Sequence, residues 1–505
     1  MFKILKSIIR SAGQGIASDP HVKKFREKHP KLFHFLRQRL SSNEKFGLYL
    51  TLGTIITLIF IFLFFGVLQD LIGQDPLVQS DLRLINLVQI FRSPFFNHLM
   101  LFITYLGEWQ IVFVGLFFIS IILVLARRWA YLAALIVSAV GSEGLVWLIK
   151  NLIERPRPPL TNALLPETGF SFPSGHAFIA FSFYGLATYF IFRSLKNKAL
   201  KIITVISGLI VILAIGFSRI YLGVHWPSDV LASYASGAAW ITFIITAIEI
   251  RKKFYPKRQK EEQPHIKSNL LISLGLTLFI AWVVFWVLYC KMNPLKQPTA
   301  VLETPQIISE QNVAQTLFAS LPRTSEEITG KPMEPINIII IGSEADLKQA
   351  FTKANWLPVD PIKPSTIWHF FYASILNLRY DQAPGTPSFW NARPNDFAFE
   401  QPTDTVRERH HIHFWQTQFT LDHQASVWLG TAHYDQTVSI KTSLFPIHKI
   451  DPAVDKERAK VKNDLINSGL VNQVTELQIV EPTLGKNQAG DQFFTDGKAY
   501  LIFLR

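Results

Sequence analysis

The sequence predicts an α-helical membrane bundle, with a six-helix core and a seventh transmembrane helix, followed by an extramembrane α+β domain. Of the 505 residues, 49% are hydrophobic and 41 are phenylalanine, and the mean hydropathy is +0.23, values that suit a chain that is part membrane and part soluble. The apolar residues are concentrated in runs that all lie before residue 291. Beyond that residue the composition is that of a soluble protein, so the chain divides into a membrane part and a soluble part.

The apolar runs are long enough to cross a hydrocarbon core of about 30 Å as helices. They lie at residues 46–68, 99–126, 129–149, 177–192, 202–217, 230–249 and 269–290. The first six form the predicted core, residues 46–250, and the last is the predicted seventh transmembrane helix.

Positive charge is distributed unevenly around these runs. Residues 1–45 contain eleven Lys or Arg and three acidic residues, and residues 251–260 contain six basic residues. Because Lys and Arg collect in cytoplasmic loops, the basic arm 1–45 and the basic loop 251–268 are predicted to be cytoplasmic. An odd number of spans then places a linker over 291–334 and a domain over 335–505 on the outer side.

Two function classes are excluded by composition. The net charge of +13 would suit a nucleic-acid-binding protein, but the charge lies beside the apolar runs and no nucleic-acid motif accompanies it. The single cysteine, Cys290, excludes a disulfide within the chain and a cysteine-based zinc site.

Three short motifs carry charge on the predicted outer side, where an excess of Lys and Arg is unusual. They lie at residues 150–158, 173–176 and 218–229, each at the outer end of a predicted span. The topology alone therefore places all three motifs at one face of the membrane. A functional requirement for cations explains the exception to the charge rule.

The cations and the helix start in these motifs suit binding of a phosphoryl group. Lys150, Arg157 and Arg219 can neutralise its nonbridging oxygens, with the arginines binding in bidentate fashion. Ser174 and Gly175 come directly before a predicted helix, whose free N–H groups and positive dipole end attract phosphate.

The two histidines of the motifs suit a division of labour. At neutral pH one histidine can attack while the other donates a proton. Asp229 follows His225 by four residues, which is within reach if a helix starts after Trp226. The carboxylate can then hold the imidazole in the tautomer that leaves its other nitrogen free to attack.

Together these residues resemble the phosphatidic acid phosphatase type 2 superfamily. The pattern of that family is Lys-x6-Arg-Pro, Pro-Ser-Gly-His and Ser-Arg-x5-His-x3-Asp, and the sequence matches every defined position in the expected order. The resemblance covers about residues 69–250. It implies a six-helix catalytic bundle that hydrolyses phosphate esters through a phosphohistidine intermediate, without a metal or other cofactor.

The resemblance also implies a role for each matched residue. His225 becomes the nucleophile, Asp229 its orienting partner and His176 the general acid. The implied phosphate-binding residues are Lys150, Arg157, Ser174, Gly175 and Arg219.

Two further charged residues lie outside the pattern. Arg155 can bind substrate, a lipid headgroup or nothing. Glu143 lies two helical turns before Lys150, about 10 Å along the axis and too far for a direct ion pair. Glu143 could support the phosphate-binding residues from behind without contacting phosphate itself. A polar contact with a neighbouring helix is the favoured interpretation. The loop 159–172 is expected to cover the site.

The soluble part is predicted to be an α+β domain. Expected strands lie at 338–341, 427–431, 437–441 and 499–504, and expected helices at 309–320, 344–355, 365–377 and 451–468. The region resembles the LssY-type C-terminal domain through the segments 409–415, 427–430, 434–435, 448–451 and 494–497. That resemblance supports a bacterial origin and implies no activity.

Several metal-ligating residue types occur in this domain. His411, His413 and Trp415 alternate, so they share one face of a strand. Further candidate ligands are His433, Asp435, His448 and Asp451. Because no motif with ligand spacing is present, an ordinary polar sheet face is favoured and no metal site is predicted. The domain is expected to bind a partner protein or the substrate.

The sequence as a whole therefore predicts a lipid phosphatase in the bacterial inner membrane, with its active site and C-terminal domain on the periplasmic side. Undecaprenyl diphosphate is the first candidate substrate; the others are phosphatidate, phosphatidylglycerol phosphate and a lipid A phosphate. Two alternatives stay open: a lipid phosphotransferase, and a membrane scaffold whose outer domain is a binding module.

Overall fold

A computed structural model gives the fold of two compact units, Met1–Gln69 with Ser93–Gln297, and Asp70–Arg92 with Pro298–Arg505. The structure describes residues 11, 19–41, 47–159, 163–255, 268–295, 306–309, 313–376, 378–404, 406, 408–421, 425–439, 447–487 and 490–505. Most of the predicted basic loop 251–268 and parts of the arm 1–45 and the linker 291–334 lie outside these residues.

The described residues of the first unit are helical. Its helices, together with α4, which belongs to the second unit, are α1 Pro20–Lys28, α2 Pro30–Leu40, α3 Leu48–Gly73, α4 Pro76–Gln89, α5 Pro94–Thr104, α6 Trp109–Leu125, α7 Trp129–Ile153, α8 Gly175–Ser194, α9 Lys198–Tyr221, α10 Pro227–Phe254 and α11 Ser268–Met292. A short 3-10 helix, Tyr105–Gly107, connects α5 to α6.

Six of these helices, α3 and α7 to α11, are long and apolar enough to cross a membrane. The predicted helical membrane core is therefore confirmed. The second predicted span, residues 99–126, is instead a bent pair of helices. The first arm, α5 with the 3-10 helix, ends at Gly107, and α6 follows Glu108 with a bend of 49°. A seventh span is obtained only if this bent pair is counted as one.

The ends of four helices place the three motifs. Helix α7 ends at Ile153, and Glu154 follows in the left-handed conformation with φ 50°. Helix α8 begins directly after Ser174. Helix α9 ends four residues before His225, and α10 begins with Pro227 in its first turn, a position that suits proline because its missing N–H would be unpaired there.

The second unit contains a mixed sheet of nine strands. Its main path runs β12-β15-β4-β10-β9-β8-β5, with β1 beside β9 and β11 beside β10. These strands are β1 Gln306–Ile308, β4 Ile338–Gly342, β5 Leu357–Pro358, β8 Phe397–Pro402, β9 Arg409–Leu421, β10 Ala425–Ser439, β11 Ile447–Ile450, β12 Val471–Gln478 and β15 Lys498–Leu504.

Smaller elements surround this sheet. They are α12 Val313–Ser320, β2 Thr324–Glu326, β3 Pro332–Pro335, α13 Glu344–Lys353, α14 Pro364–Leu376, β6 Phe389–Trp390, β7 Arg393–Pro394, α15 Val454–Asn467, β13 Thr483–Lys486 and β14 Gln492–Thr495. The sheet is covered on both faces. One face packs against Phe351 of α13 and Val461 of α15, and the other packs against Leu317 of α12. The expected α+β domain is therefore present.

The domain is larger than the sequence indicated. Part of the predicted linker 291–334 folds as β1, α12, β2 and the start of β3, and Ile308 and Leu317 are buried in the domain core. Helix α4 also belongs to this unit: Arg83 forms an ion pair with Glu326, and the Asn86 side chain donates to the carbonyl of Ala392 at 2.7 Å. The strands β1 and β2 have three residues each, too few to show a periodic pattern, whereas α12 corresponds to the helix expected at 309–320.

Two predicted boundaries need correction, and one capping prediction is confirmed. The helix expected from residue 451 begins at Val454, because the Asp451 carboxylate accepts from the Ala453 N–H in a turn before it. The strands expected at 427–431 and 437–441 are parts of one strand, β10, as far as residue 439. Ser343 caps α13 as predicted, accepting from the Asp346 N–H at 3.2 Å.

Candidate active site

His225 and Asp229 lie together at the start of α10. The Nδ1 atom of His225 lies 3.4 Å from Oδ2 of Asp229, and the same oxygen accepts from the backbone N–H of Trp226 at 3.0 Å. Both side chains are almost completely buried. The helix start at Pro227 therefore brings the carboxylate to the imidazole, as the four-residue spacing predicts.

The other nitrogen of His225 faces a cation. Its Nε2 atom lies 3.2 Å from Nη1 of Arg157. The pKa of His225 lies well below its usual range, because burial penalises the imidazolium and because Arg219, Arg157 and Lys150 repel it. The ring is therefore neutral at physiological pH, which is the form that can attack an electrophile.

Arg155 holds the other oxygen of Asp229. Its Nη1 atom lies 2.6 Å from Oδ1 of Asp229 and 2.7 Å from the hydroxyl of Ser228. The guanidinium also lies 5.3 Å from the centre of the Trp226 ring, as in a cation–π contact. Arg155 is 9% exposed and Asp229 is fully buried. The structure therefore gives Arg155 a contact that was not among the alternatives named from the sequence, an ion pair that holds the carboxylate beside His225.

Arg157 and Arg219 are bridged by one carboxylate. Glu167, in the loop before α8, forms an ion pair with Arg157 at 2.9 Å and a second, closer one with Arg219. Arg219 is fully buried and donates to the hydroxyl of Thr104 at 2.8 Å. The Glu167 carboxylate lies between two guanidinium groups, as two oxygens of a phosphoryl group would.

The third cation and the helix start come from the same set of sequence motifs as these arginines. Lys150 donates to the carbonyl of Phe170 at 2.6 Å. Ser174 is buried at the N-terminus of α8, and within the described part of the chain its hydroxyl has no hydrogen-bond partner. A Cβ added at Gly175 would lie 3.7 Å from the Val146 side chain, an ordinary van der Waals contact. The start of α8 therefore offers free donors to an anion.

His176 is the second histidine of the motifs, and it faces a carboxylate at the bend between α5 and α6. Its Nε2 atom lies 3.3 Å from Oε1 of Glu108. Gly107 packs so closely that an added Cβ would lie 2.9 Å from the His176 ring. The bent pair of helices therefore positions this imidazole.

Glu108, Glu167 and Thr104 are contacts that the sequence analysis missed. Glu108 is the one acidic residue in the apolar stretch 93–125, and Glu167 is the one acidic residue in the loop 159–172. An isolated charge in such a segment is a signal of function. Glu143, in contrast, is exposed on α7, and its position behind the phosphate-binding residues stays a prediction.

The fold and the site together define a class of protein. It is a multi-pass membrane protein in which a neutral, carboxylate-oriented histidine lies among cations suited to a phosphoryl group. Residues 127–253 match the PAP2 superfamily, and residues 318–499 match the family described as LssY C-terminus.

Among curated proteins, the chain is similar to phosphatidylglycerophosphatase B of Bacillus subtilis. The two are 32% identical over 210 residues, which is 97% of that protein and 40% of this chain. The chain is also 29% identical over 197 residues to undecaprenyl-diphosphatase of Sulfolobus acidocaldarius, covering 89% of that protein and 38% of this chain. The chain belongs to the PAP2 superfamily, and its relatives support a hydrolase of the phosphatase class.

Two solved structures are also similar to part of this chain. One is the PAP2-type phosphatidylglycerolphosphate phosphatase of Bacillus subtilis, with 26% identity, 38% of this chain and 94% of that chain covered, and a TM-score of 0.33. The other is LpxE of Aquifex aeolicus, with 26% identity, 33% and 94% covered, and a TM-score of 0.28.

Proposed function

We propose that this protein is an integral-membrane lipid phosphatase that hydrolyses a lipid phosphate monoester or diphosphate through a phosphohistidine intermediate. One observation carries the proposal. The two nitrogens of His225 face opposite charges, with Nδ1 toward Asp229 and Nε2 beside Arg157. The imidazole is thereby oriented, and its Nε2 atom lies where a bound phosphoryl group would be.

In the first step Nε2 of His225 attacks phosphorus. An N–P bond forms and the bond from phosphorus to the lipid oxygen breaks. The leaving oxygen takes a proton from His176, whose ring is held by Glu108. Asp229 stabilises the positive charge that develops on the imidazole, and it is itself held by Arg155.

In the second step water attacks the phosphohistidine. His176, now neutral, accepts a proton from that water, the N–P bond breaks, and inorganic phosphate leaves. Throughout both steps the charge on the phosphoryl oxygens is neutralised by cations and N–H donors. The proposed binding residues are Lys150, Arg157, Ser174, Gly175 and Arg219. These steps need no metal or other cofactor.

The substrate is proposed from the chemistry of the site and from the relatives. The cations suit a terminal phosphate with two negative charges, and a site at helix ends in a membrane bundle suits a lipid headgroup. Relatives are named as a phosphatidylglycerophosphatase and an undecaprenyl-diphosphatase. Undecaprenyl diphosphate is the first candidate and phosphatidylglycerol phosphate the second.

We also propose that the protein lies in the bacterial inner membrane, with its N-terminus in the cytoplasm and its active site and C-terminal domain in the periplasm. The excess of Lys and Arg in residues 1–45 and 251–260 supports this orientation.

A panel of phosphorylated lipids tests the activity. The purified full-length protein is expected to release inorganic phosphate from at least one lipid supplied alone, and His225→Ala is expected to lower the rate at least about 1,000-fold. His98→Ala, an exposed histidine outside the site, is the matched control.

Other results would favour the alternatives. Phosphate transfer that starts only when a second lipid is added would indicate a phosphotransferase. Phosphate release from no lipid would indicate a scaffold, and release that survives His225→Ala would contradict the proposed nucleophile.

A further inference from the structure

Three histidines meet on one face of the sheet in the C-terminal domain. His411 and His413 lie on β9, and His433 lies on β10 directly opposite His411. Each side chain offers one ring nitrogen, and these three atoms all lie within 4.8 Å of one another. The ring centres are 4.3 to 5.8 Å apart. Strand pairing therefore gathers three imidazoles that are separated in the sequence.

The cluster is buried, and two of its nitrogens lack the partners that burial demands. His411 is 2% exposed and His413 is 4% exposed, while the His433 side chain is 15% exposed. Within the described residues, the Nδ1 atoms of His413 and His433 are buried and have no hydrogen-bond partner. An unsatisfied buried polar group costs about 1–3 kcal/mol, so an ordinary polar sheet face does not account for this arrangement.

One carboxylate lies beside the histidine at the edge of the cluster. Nε2 of His433 lies 3.6 Å from Oδ1 of Asp435. The other oxygen of Asp435 accepts from Arg409 at 3.2 Å, and Arg409 is also paired with Glu400 at 2.8 Å. A carboxylate on one ring nitrogen typically fixes the tautomer that leaves the other nitrogen to bind a metal.

The absence of a side chain at Gly385 leaves room for the His411 ring. Gly385, in the loop before β6, approaches so closely that an added Cβ would lie 2.7 Å from Cε1 of His411. A side chain at this position would displace the ring, so the glycine keeps His411 in the cluster.

We propose that His411, His413 and His433 bind a divalent transition-metal ion, with zinc as the expected occupant. Three imidazoles without a thiolate suit zinc and its neighbours rather than magnesium or calcium. Tetrahedral zinc with nitrogen ligands at 2.0–2.1 Å separates those nitrogens by about 3.3 Å, so small ring movements complete the site. Three protein ligands leave one coordination position for water or another ligand.

The remaining candidate ligands named from the sequence do not join the cluster in the described structure. The Asp451 carboxylate is used by Gln436 and by the backbone of Ala453. The side chain of His448 lies outside the described residues. Asp435 is not a proposed ligand, but its carboxylate lies 3.6 Å from Nε2 of His433, which is one.

Metal content tests the proposal in the full-length protein, purified without a polyhistidine tag. After incubation with zinc and removal of free metal, elemental analysis is expected to find about one zinc per chain. The double variant His413→Gln/His433→Gln is expected to retain little. His369→Gln, an exposed histidine of the same domain, is the matched control and is expected to keep the metal.

A measurement on the unaltered protein guards against misfolding of the double variant. Titration with cobalt is expected to give visible d–d absorption that saturates near one equivalent and disappears when zinc is added. Zinc content that is unchanged in a folded double variant would overturn the proposal, as would an unaltered protein that gives neither zinc retention nor this cobalt spectrum.

Discussion

Glu167 brings a negative charge between two of the arginines of the site. Its carboxylate pairs with Arg157 and Arg219, the two arginines proposed to bind the phosphoryl group. The Glu167 carboxylate and the phosphate of a substrate would use the same two guanidinium groups. In the proposed binding mode a phosphorylated substrate must therefore displace Glu167 before it binds. The sequence predicts only that the loop 159–172 covers the site. The proposed binding mode adds that Glu167 of this loop competes with the substrate phosphate for Arg157 and Arg219.

Glu167→Gln is expected to strengthen product inhibition. Removing the competing charge should lower the inhibition constant for inorganic phosphate about tenfold, which corresponds to about 1.4 kcal/mol. Steady-state inhibition at fixed pH measures this effect. Glu154→Gln, an exposed acid that follows α7, is the control. An inhibition constant that is equal in both variants and the unaltered protein would show that Glu167 does not compete.

The low pKa of His225 determines how activity depends on pH. The neutral ring is the proposed nucleophile, and burial together with Arg219, Arg157 and Lys150 lowers its pKa well below the usual value. Protonation therefore stops the reaction only at more acid pH than for an ordinary histidine. The acidic limb of kcat/KM, corrected for ionisation of the lipid phosphate, is expected well below pH about 6.5. A limb at or above this value would contradict the assignment.

The bend between α5 and α6 is the element that distinguishes this bundle from a set of straight spans. The hydroxyl of Thr104, just before the bend, accepts a hydrogen bond from Arg219, and the Glu108 carboxylate at the bend lies beside His176. Irregular backbone at membrane depth is tolerated where protein or a cavity surrounds it, so such a break is a common location for a site.

Gly107→Ala is expected to impair catalysis at this bend. The added Cβ would lie 2.9 Å from the His176 ring and 3.1 Å from Ile215, so the ring must shift from its position beside Glu108. A displacement of this order costs about 100-fold in rate, and kcat is expected to fall more than KM changes. Gly144→Ala, where a Cβ meets nothing within 4 Å, is the control. Equal kcat for the two variants would argue against a positioned His176.

Local signals explain which parts of the structure could be predicted. Pro227 marks the start of α10, and that start places Asp229 one turn from His225, so this pair could be derived from the sequence. The pairing of Glu167 with Arg219 could not, because it depends on the path of a loop. His411, His413 and His433 could be named as candidate ligands, but their meeting could not be derived, since it requires the register between β9 and β10.

At the scale of the whole molecule, the proposed orientation makes a prediction about labelling. With Cys290→Ser as background, a cysteine at exposed Lys353 is expected to react with an impermeant maleimide in spheroplasts. A cysteine at exposed Lys23 is expected to react only after the membrane is opened. The reverse pattern would place the active site and the C-terminal domain on the cytoplasmic side.

The covalent intermediate is the central claim, and trapping it is the most direct test. The full-length protein would be mixed with a hydrolysable lipid for less than one turnover, quenched in alkali and analysed by mass spectrometry. A phosphoryl group on His225, absent in His225→Ala and absent without substrate, is the predicted result. Phosphate release with no adduct on His225, or an adduct on His176 instead, would contradict the account.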